Sequence, residues 1–172
     1  MSLDPELTPP DQDLMELAKF KPLSWEDLVE AFEAWLTKGG NNSRQFFLQR
    51  SLRYGSQPMP EDMASVTMRL RYLAGIHSWL GGQIPDLENF ITEAARVMED
   101  HLKAEHYDHQ LEFSRWQGYS PAKQKALIKS EMAFIVRWRD AFQNLYDSVK
   151  KKLEIGQTLS ANARGERGTT GH

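Results

Sequence analysis

Three of the chain's five histidines fall within nine residues, "HLKAEHYDH", at 101–109. His101, Glu105 and His109 recur every four residues, so on a helix they lie one turn apart on one face. Imidazole with carboxylate suits iron, manganese or zinc. Helical bundles assemble such sites from side chains on facing helices. Glu131 stands between Ile128 and Ile135 at a position where the surrounding pattern is apolar. Folding the chain back about Gly118 puts Glu131 level with Glu105 and His106, and a fold about residues 83–84 brings Asp62 to the same level. The spacing therefore describes a transition-metal site with Glu105, His109 and Glu131 as ligands and His101, Asp62 or Glu112 beside them.

A second reading of the same residues is plainer, and it ranks first. The helix leaves the bundle near residue 105 and these groups meet water, or Glu131 pairs with a histidine as a buried polar contact. The Glu-x-x-His pair of ferritin-like di-iron proteins is missing from the chain. Asp62 also suits the first turn of a helix, where acids are favoured. On this reading the chain has no resident cofactor, and His77 is a hydrogen-bonded core residue.

Other catalytic patterns are sparse. Arg71 to His77 and Arg96 to His101 have the Arg-x(4–6)-His spacing of the helical HEPN ribonucleases. With eleven arginines, about one such match arises by chance. Both also carry an apolar or aromatic residue after the arginine, where that family usually has a polar one. There is no phosphate-binding glycine loop and no Gly-x-Ser-x-Gly elbow. Cysteine is absent, which removes disulfides, thiolate ligands and thiol nucleophiles together. Nothing in the sequence demands an enzyme.

The basic and aromatic stretch "NNSRQFFLQRSLRYG" is a stronger lead. Arg44, Arg50 and Arg53 alternate with Phe46, Phe47 and Tyr54, and Arg69, Arg71 and Tyr72 follow. Arginine with exposed aromatics suits phosphate contact and base stacking. The alternative is that the phenylalanines are core and the arginines pair with acidic segments. Charge is blocky enough for that. Residues 1–36 carry nine acids against Lys19 and Lys21, and residues 37–80 six bases against Glu61 and Asp62. Residues 81–119 carry eight acids against three bases, and residues 120–172 ten bases against five acids. The net charge is only −3.

The elements that must position these residues read as helices. Pro and Gly punctuate the chain at "TPP", "KGGNNS", "YGSQPMP", "LGGQIPD" and "QGYSPA", with helical periodicity between them. A short helix is expected over 11–19. "SWEDLVEAFEAWL" is a strong helix, capped by Ser24 with Asp27 three residues on, apolar at Trp25, Leu28, Val29, Phe32 and Leu36, and ended by Gly39 and Gly40. A third helix opens at Asn42 or Ser43. Residues 60–80 and 86–115 form two longer ones, the second capped by Asp86. The last starts at Ser120 with Pro121 in its first turn. It carries a seam at Ile128, Ile135, Trp138, Phe142, Leu145 and Val149, and ends at Gly156.

The expected fold is all-α: an antiparallel helical bundle of five or six helices, three of them long. Residues 1–10 are a flexible N-terminus, 11–156 a single domain, and 157–172 a disordered tail. No apolar run is long enough to span a membrane, and a cytoplasmic location is the default. Five Trp, five Tyr and eight Phe are generous for a small bundle, and residues 66–80 are apolar on two faces. Such a helix is either sandwiched or touches another chain. The leading expectation is a non-enzymatic helical interaction or assembly subunit that forms a homo-oligomer. The alternatives are nucleic-acid binding through Arg44, Arg50, Arg53, Arg69 and Arg71, and the metal-bound bundle.

Overall fold

The computed structural model describes residues 9–10, 24–109 and 113–169. The helix expected over 11–19 lies outside them. The fold is all-α, with five helices among the described residues: α1 (Trp25–Thr37), α2 (Arg44–Ser56), α3 (Met63–Glu105), α4 (Pro121–Glu131) and α5 (Ala133–Thr169). Two are long, not three, because the two helices expected at 60–80 and 86–115 are one.

Capping chemistry sets the starts. Ser24 Oγ accepts from the Asp27 N–H at 3.1 Å, Ser43 Oγ from Phe46 at 3.3 Å, and Ser120 Oγ from Lys123 at 3.3 Å with Pro121 in the first turn. Each satisfies an N–H that has no partner inside its helix. Between α1 and α2 the chain turns at Gly39 and Gly40, whose φ values of 98° and 58° suit residues without a Cβ.

α3 departs most from the sequence reading. It starts at Asp62, whose Oδ1 accepts from the Ser65 N–H at 2.8 Å, and runs unbroken for 43 residues through Gly81, Gly82 and Pro85. Pro85 cannot donate to the Gly81 carbonyl. Gly81, Gly82 and Pro85 are all exposed, so water can take over that acceptor. The leucines and isoleucine to either side hold the two halves in line: Leu73, Ile76, Leu80 and Leu87 are all buried. Asp86 is consequently inside a helix and caps nothing.

α3 ends at Glu105, not 115. A small antiparallel pair follows, Tyr107–Asp108 against Phe113–Ser114, then a 3-10 turn at Arg115–Gly118. The last expected helix divides at Met132. That residue is buried and its N–H still reaches the Ile128 carbonyl at 3.0 Å. Gly156 does not end α5. It is buried against Leu70 and Met59, whose side-chain tips occupy the space a Cβ would need. The glycine is there for close helix approach, and the helix continues to Thr169. The backbone over 157–169 is thus helical where a disordered tail was expected.

α5 packs along α3 in antiparallel register. Tyr146 meets His77 and Gly81, and Gly156 meets Leu70. α1 and α2 cover one side of this pair. Phe32 stacks on Trp35 and Phe90 and meets Phe134 edge-on. Phe47 meets Trp79, which tilts onto Phe142. α3 buries Val66, Arg69, Leu73, Ile76 and Leu80, while Leu70 and His77 are only half-buried. No helix among the described residues is long and apolar enough to cross a membrane.

Candidate functional site

The histidine stretch sits where α3 stops. His101 is the only one of its three histidines on the helix proper, and its Nε2 lies 3.5 Å from Glu105 Oε1. His106 follows the last helical residue. Its ring lies nearly parallel to Trp116 and meets Tyr119 edge-on at 5.5 Å, and Lys123 Nζ stands 3.6 Å over Tyr119. His109 lies beyond, edge-on to Tyr107 at 4.8 Å. Arg115 Nη2 reaches Asp108 Oδ2 at 3.7 Å, and the Arg115 N–H donates to the His106 carbonyl. Glu105, His106, Asp108, His109 and Arg115 surround a wide-open cleft of about 430 Å³.

These positions do not form the expected metal site. Among the described residues no three His, Asp or Glu side chains converge to hold an ion. His109 is off the helix, so its four-residue spacing from Glu105 no longer places the two on one face. Asp62 and Glu105 are at opposite ends of one helix, about 65 Å apart at 1.5 Å per residue. The observed antiparallel register sets Glu131 near residues 93–94 of α3. That is about three turns short of Glu105, and Glu131 is exposed. Glu112 lies outside the described residues. The polar break in the stripe marks a helix terminus.

The five arginines divide in two. Arg44 is 5% exposed. Its Nε donates to Gln83 Oε1 at 2.9 Å and its Nη1 to the Trp35 carbonyl at 3.3 Å, with the guanidinium 4.7 Å over the Trp35 ring. Burial pushes this guanidinium down to about 10, against the opposing pull of Asp86.

Arg69 is 6% exposed and donates from Nη2 to the carbonyls of Tyr54 (2.7 Å) and Gln57 (2.8 Å). Lys152 joins it from α5, its Nζ donating to the Gly55 carbonyl and, at 3.0 Å, to that of Gln57. Desolvation, and then the nearby Arg69 charge, hold the Lys152 amine below its ordinary range. Two cations from two helices thus satisfy carbonyls at the negative end of α2. Arg44 and Arg69 are both buried and spend their donors on groups of this chain. Arg50 is half-buried with its guanidinium 4.5 Å over the exposed Phe46 ring, and Arg53 and Arg71 are exposed.

A third feature was not singled out in the sequence. On the side of the α3–α5 pair opposite α2, an open groove of about 480 Å³ runs between Leu70, Arg71 and Ala74 on α3 and Leu153, Gln157 and Ala161 on α5. The exposed surface of α3 beside it is Ala64, Thr67, Met68, Arg71, Ala74, Gly75 and Ser78. These are small or apolar residues with one charge. The available signal was a run of small residues at the outward positions of 64–82, which a search for large apolar groups passes over. The His77 ring lies just along this side, half-buried and stacked on Tyr146 at 4.2 Å, its Nε2 enclosed without a hydrogen-bond partner among the described residues.

Compared with protein-family models, curated proteins and solved structures, the chain matches none.

Proposed function

We propose that this protein is a non-enzymatic helical assembly subunit that associates with itself. The observation that carries the reading is the one-sided cover of the α3–α5 pair. α1 and α2 close one side with an aromatic core, while the other side keeps a groove whose α3 wall has a single charged residue. A helix face of this composition gains little from water and gains free energy when another surface covers it. Homo-oligomers are the commonest way to supply such a surface. Size-exclusion chromatography with light scattering tests the proposal. A mass above 19.8 kDa that rises with concentration is the expected result, and a monomer at every concentration removes it.

A second reading has one observation in its favour. The Arg50 guanidinium stands 4.5 Å over the exposed ring of Phe46, a pairing that suits stacking with a nucleic-acid base beside a phosphate. With Arg44 and Arg69 used internally, binding would rest on Arg50, Arg53 and Arg71. A salt-dependent shift of a labelled single strand or duplex is its signature, and no binding at low salt removes it.

A further inference from the structure

The groove has walls of unlike character. On α3, Arg71 lines it, with Met68 one turn earlier and Ala74 one turn later. On α5, Gln157 and Ala161 line it, and Glu154 lies on the same helix face, three residues before Gln157 and seven before Ala161. Both Arg71 and Glu154 are exposed, and neither forms a salt bridge among the described residues. The helix register puts them level, because Gly156 packs on Leu70 and Tyr146 on His77. The groove therefore has Arg71 on its α3 wall and, at the same height, Glu154 at the edge of its α5 wall, with Lys150 one turn before Glu154 on that face and small residues at Ala74 and Ala161 that allow close approach.

We infer that this groove is the docking surface for a second copy of this chain, related by a two-fold axis running along the groove, with Arg71 of each copy paired to Glu154 of the other. A two-fold rotation about an axis running along the groove, parallel to α3 and α5, brings the α3 wall of one copy against the α5 wall of the next at the same height. It sets Arg71 opposite Glu154 twice, while Lys150 falls level with about residue 76 of α3, roughly 7 Å along the axis from Arg71. A surface that complements itself in this way closes as a dimer and does not propagate. Exposed rim pairs add little affinity and mainly fix orientation. The affinity comes from covering Leu70, Ala74, Leu153 and Ala161.

The inference rests on the proposed self-association and adds the surface and its symmetry. Sedimentation equilibrium or light scattering of the full chain tests it, with Ala74→Arg, Arg71→Glu, Glu154→Arg and the Arg71→Glu/Glu154→Arg double variant, each first matched to wild type in helix content and melting temperature. Ala74 is exposed, so Ala74→Arg leaves the fold intact and blocks the groove, raising the dimer dissociation constant about tenfold or more. Each single charge reversal weakens the dimer and the double variant recovers it. A wild-type monomer at all concentrations overturns both the assembly reading and this surface. A wild-type dimer indifferent to Ala74→Arg overturns the surface and leaves self-association standing. A dimer weakened by both charge reversals but not recovered by the double variant overturns the two-fold pairing of Arg71 with Glu154.

Discussion

The two halves of α3 share one backbone but meet solvent in different ways. Beyond Pro85 the outward positions carry Glu93, Arg96, Glu99, Asp100 and Lys103, joined along the helix. Arg96 reaches Glu93 at 2.6 Å and Asp100 at 3.4 Å, and Lys103 reaches Glu99 at 2.9 Å. Before Gly81 the outward positions are Ala64, Thr67, Met68, Arg71, Ala74, Gly75 and Ser78, with no salt bridge among the described residues. The first pattern belongs to a face that stays in water, where charge and i,i+4 pairing keep a helix soluble. The second has a single charge, Arg71, and no such pairing among the described residues. One helix thus carries a finished solvent face at its C-terminal end and an unfinished one at its N-terminal end.

The inward sides differ as well, and substitution there separates the halves most strongly. Phe90 in the C-terminal half stacks on Phe32 at 5.4 Å inside the aromatic cluster. Phe90→Ala is expected to cost about 3–5 kcal/mol, read from the urea midpoint. In the N-terminal half the corresponding anchor is polar. Arg69→Met removes the donor to the Tyr54 and Gln57 carbonyls and is expected to cost about 2–3 kcal/mol. Hydrogen exchange should localise the loss to the end of α2. A global loss as large as that of Phe90→Ala would mean the two halves are anchored alike.

The glycines sharpen the contrast with changes of opposite sign. A Cβ on Gly75 meets nothing within 4 Å, so Gly75→Ala is expected to raise stability by about 0.5–1 kcal/mol through helix propensity alone. Gly156→Ala should lower it by about 1–2 kcal/mol, because Leu70 and Met59 must move aside. Thermal melts of the two variants check both signs.

The smallest effects concern charge. Hydrogen bonding to Ser65 holds the Asp62 carboxyl below its ordinary value, and Arg96 does the same for Glu93. A carboxylate depressed in the folded state adds stability above its unfolded value, near pH 4, and that contribution is lost as pH falls through the folded value. Asp62→Asn and Glu93→Gln should each flatten the acid limb of the stability curve. The Glu93→Gln effect should fade in high salt, whereas Asp62→Asn, which keeps a capping oxygen, leaves the neutral-pH melt nearly unchanged.

Much of the fold was legible because local chemistry dictates it. Ser24, Ser43 and Ser120 cap as their positions suggest, and the buried seam of Ile135, Phe142, Leu145 and Val149 follows helical spacing. Gly81-Gly82 and Pro85 read as a turn from local propensity, but packing on α5 carries α3 straight through them. Gly156 read as a stop because a glycine that ends a helix and one that admits a neighbour are identical in sequence. The level assigned to Asp62 depended on a hairpin at 83–84 that the chain does not make, and the level assigned to Glu131 on a reversal about Gly118 that the chain makes some six residues earlier, through the strand pair at 107–114. Arg69 occupies a core position that charge disguises. Its role depends on carbonyls twelve to fifteen residues away, which no spacing rule reveals.

An unbroken α3 about 63 Å long also alters how the molecule moves in solution. A chain of this length folded as a sphere would have a radius of gyration of about 16 Å and span roughly 40 Å. A rod-like axis half as long again adds friction without adding mass. The monomer should tumble slowly for its size and leave a gel-filtration column ahead of globular standards. Elution volume alone would therefore mistake one extended subunit for two compact ones, and only a measurement proportional to mass can count copies.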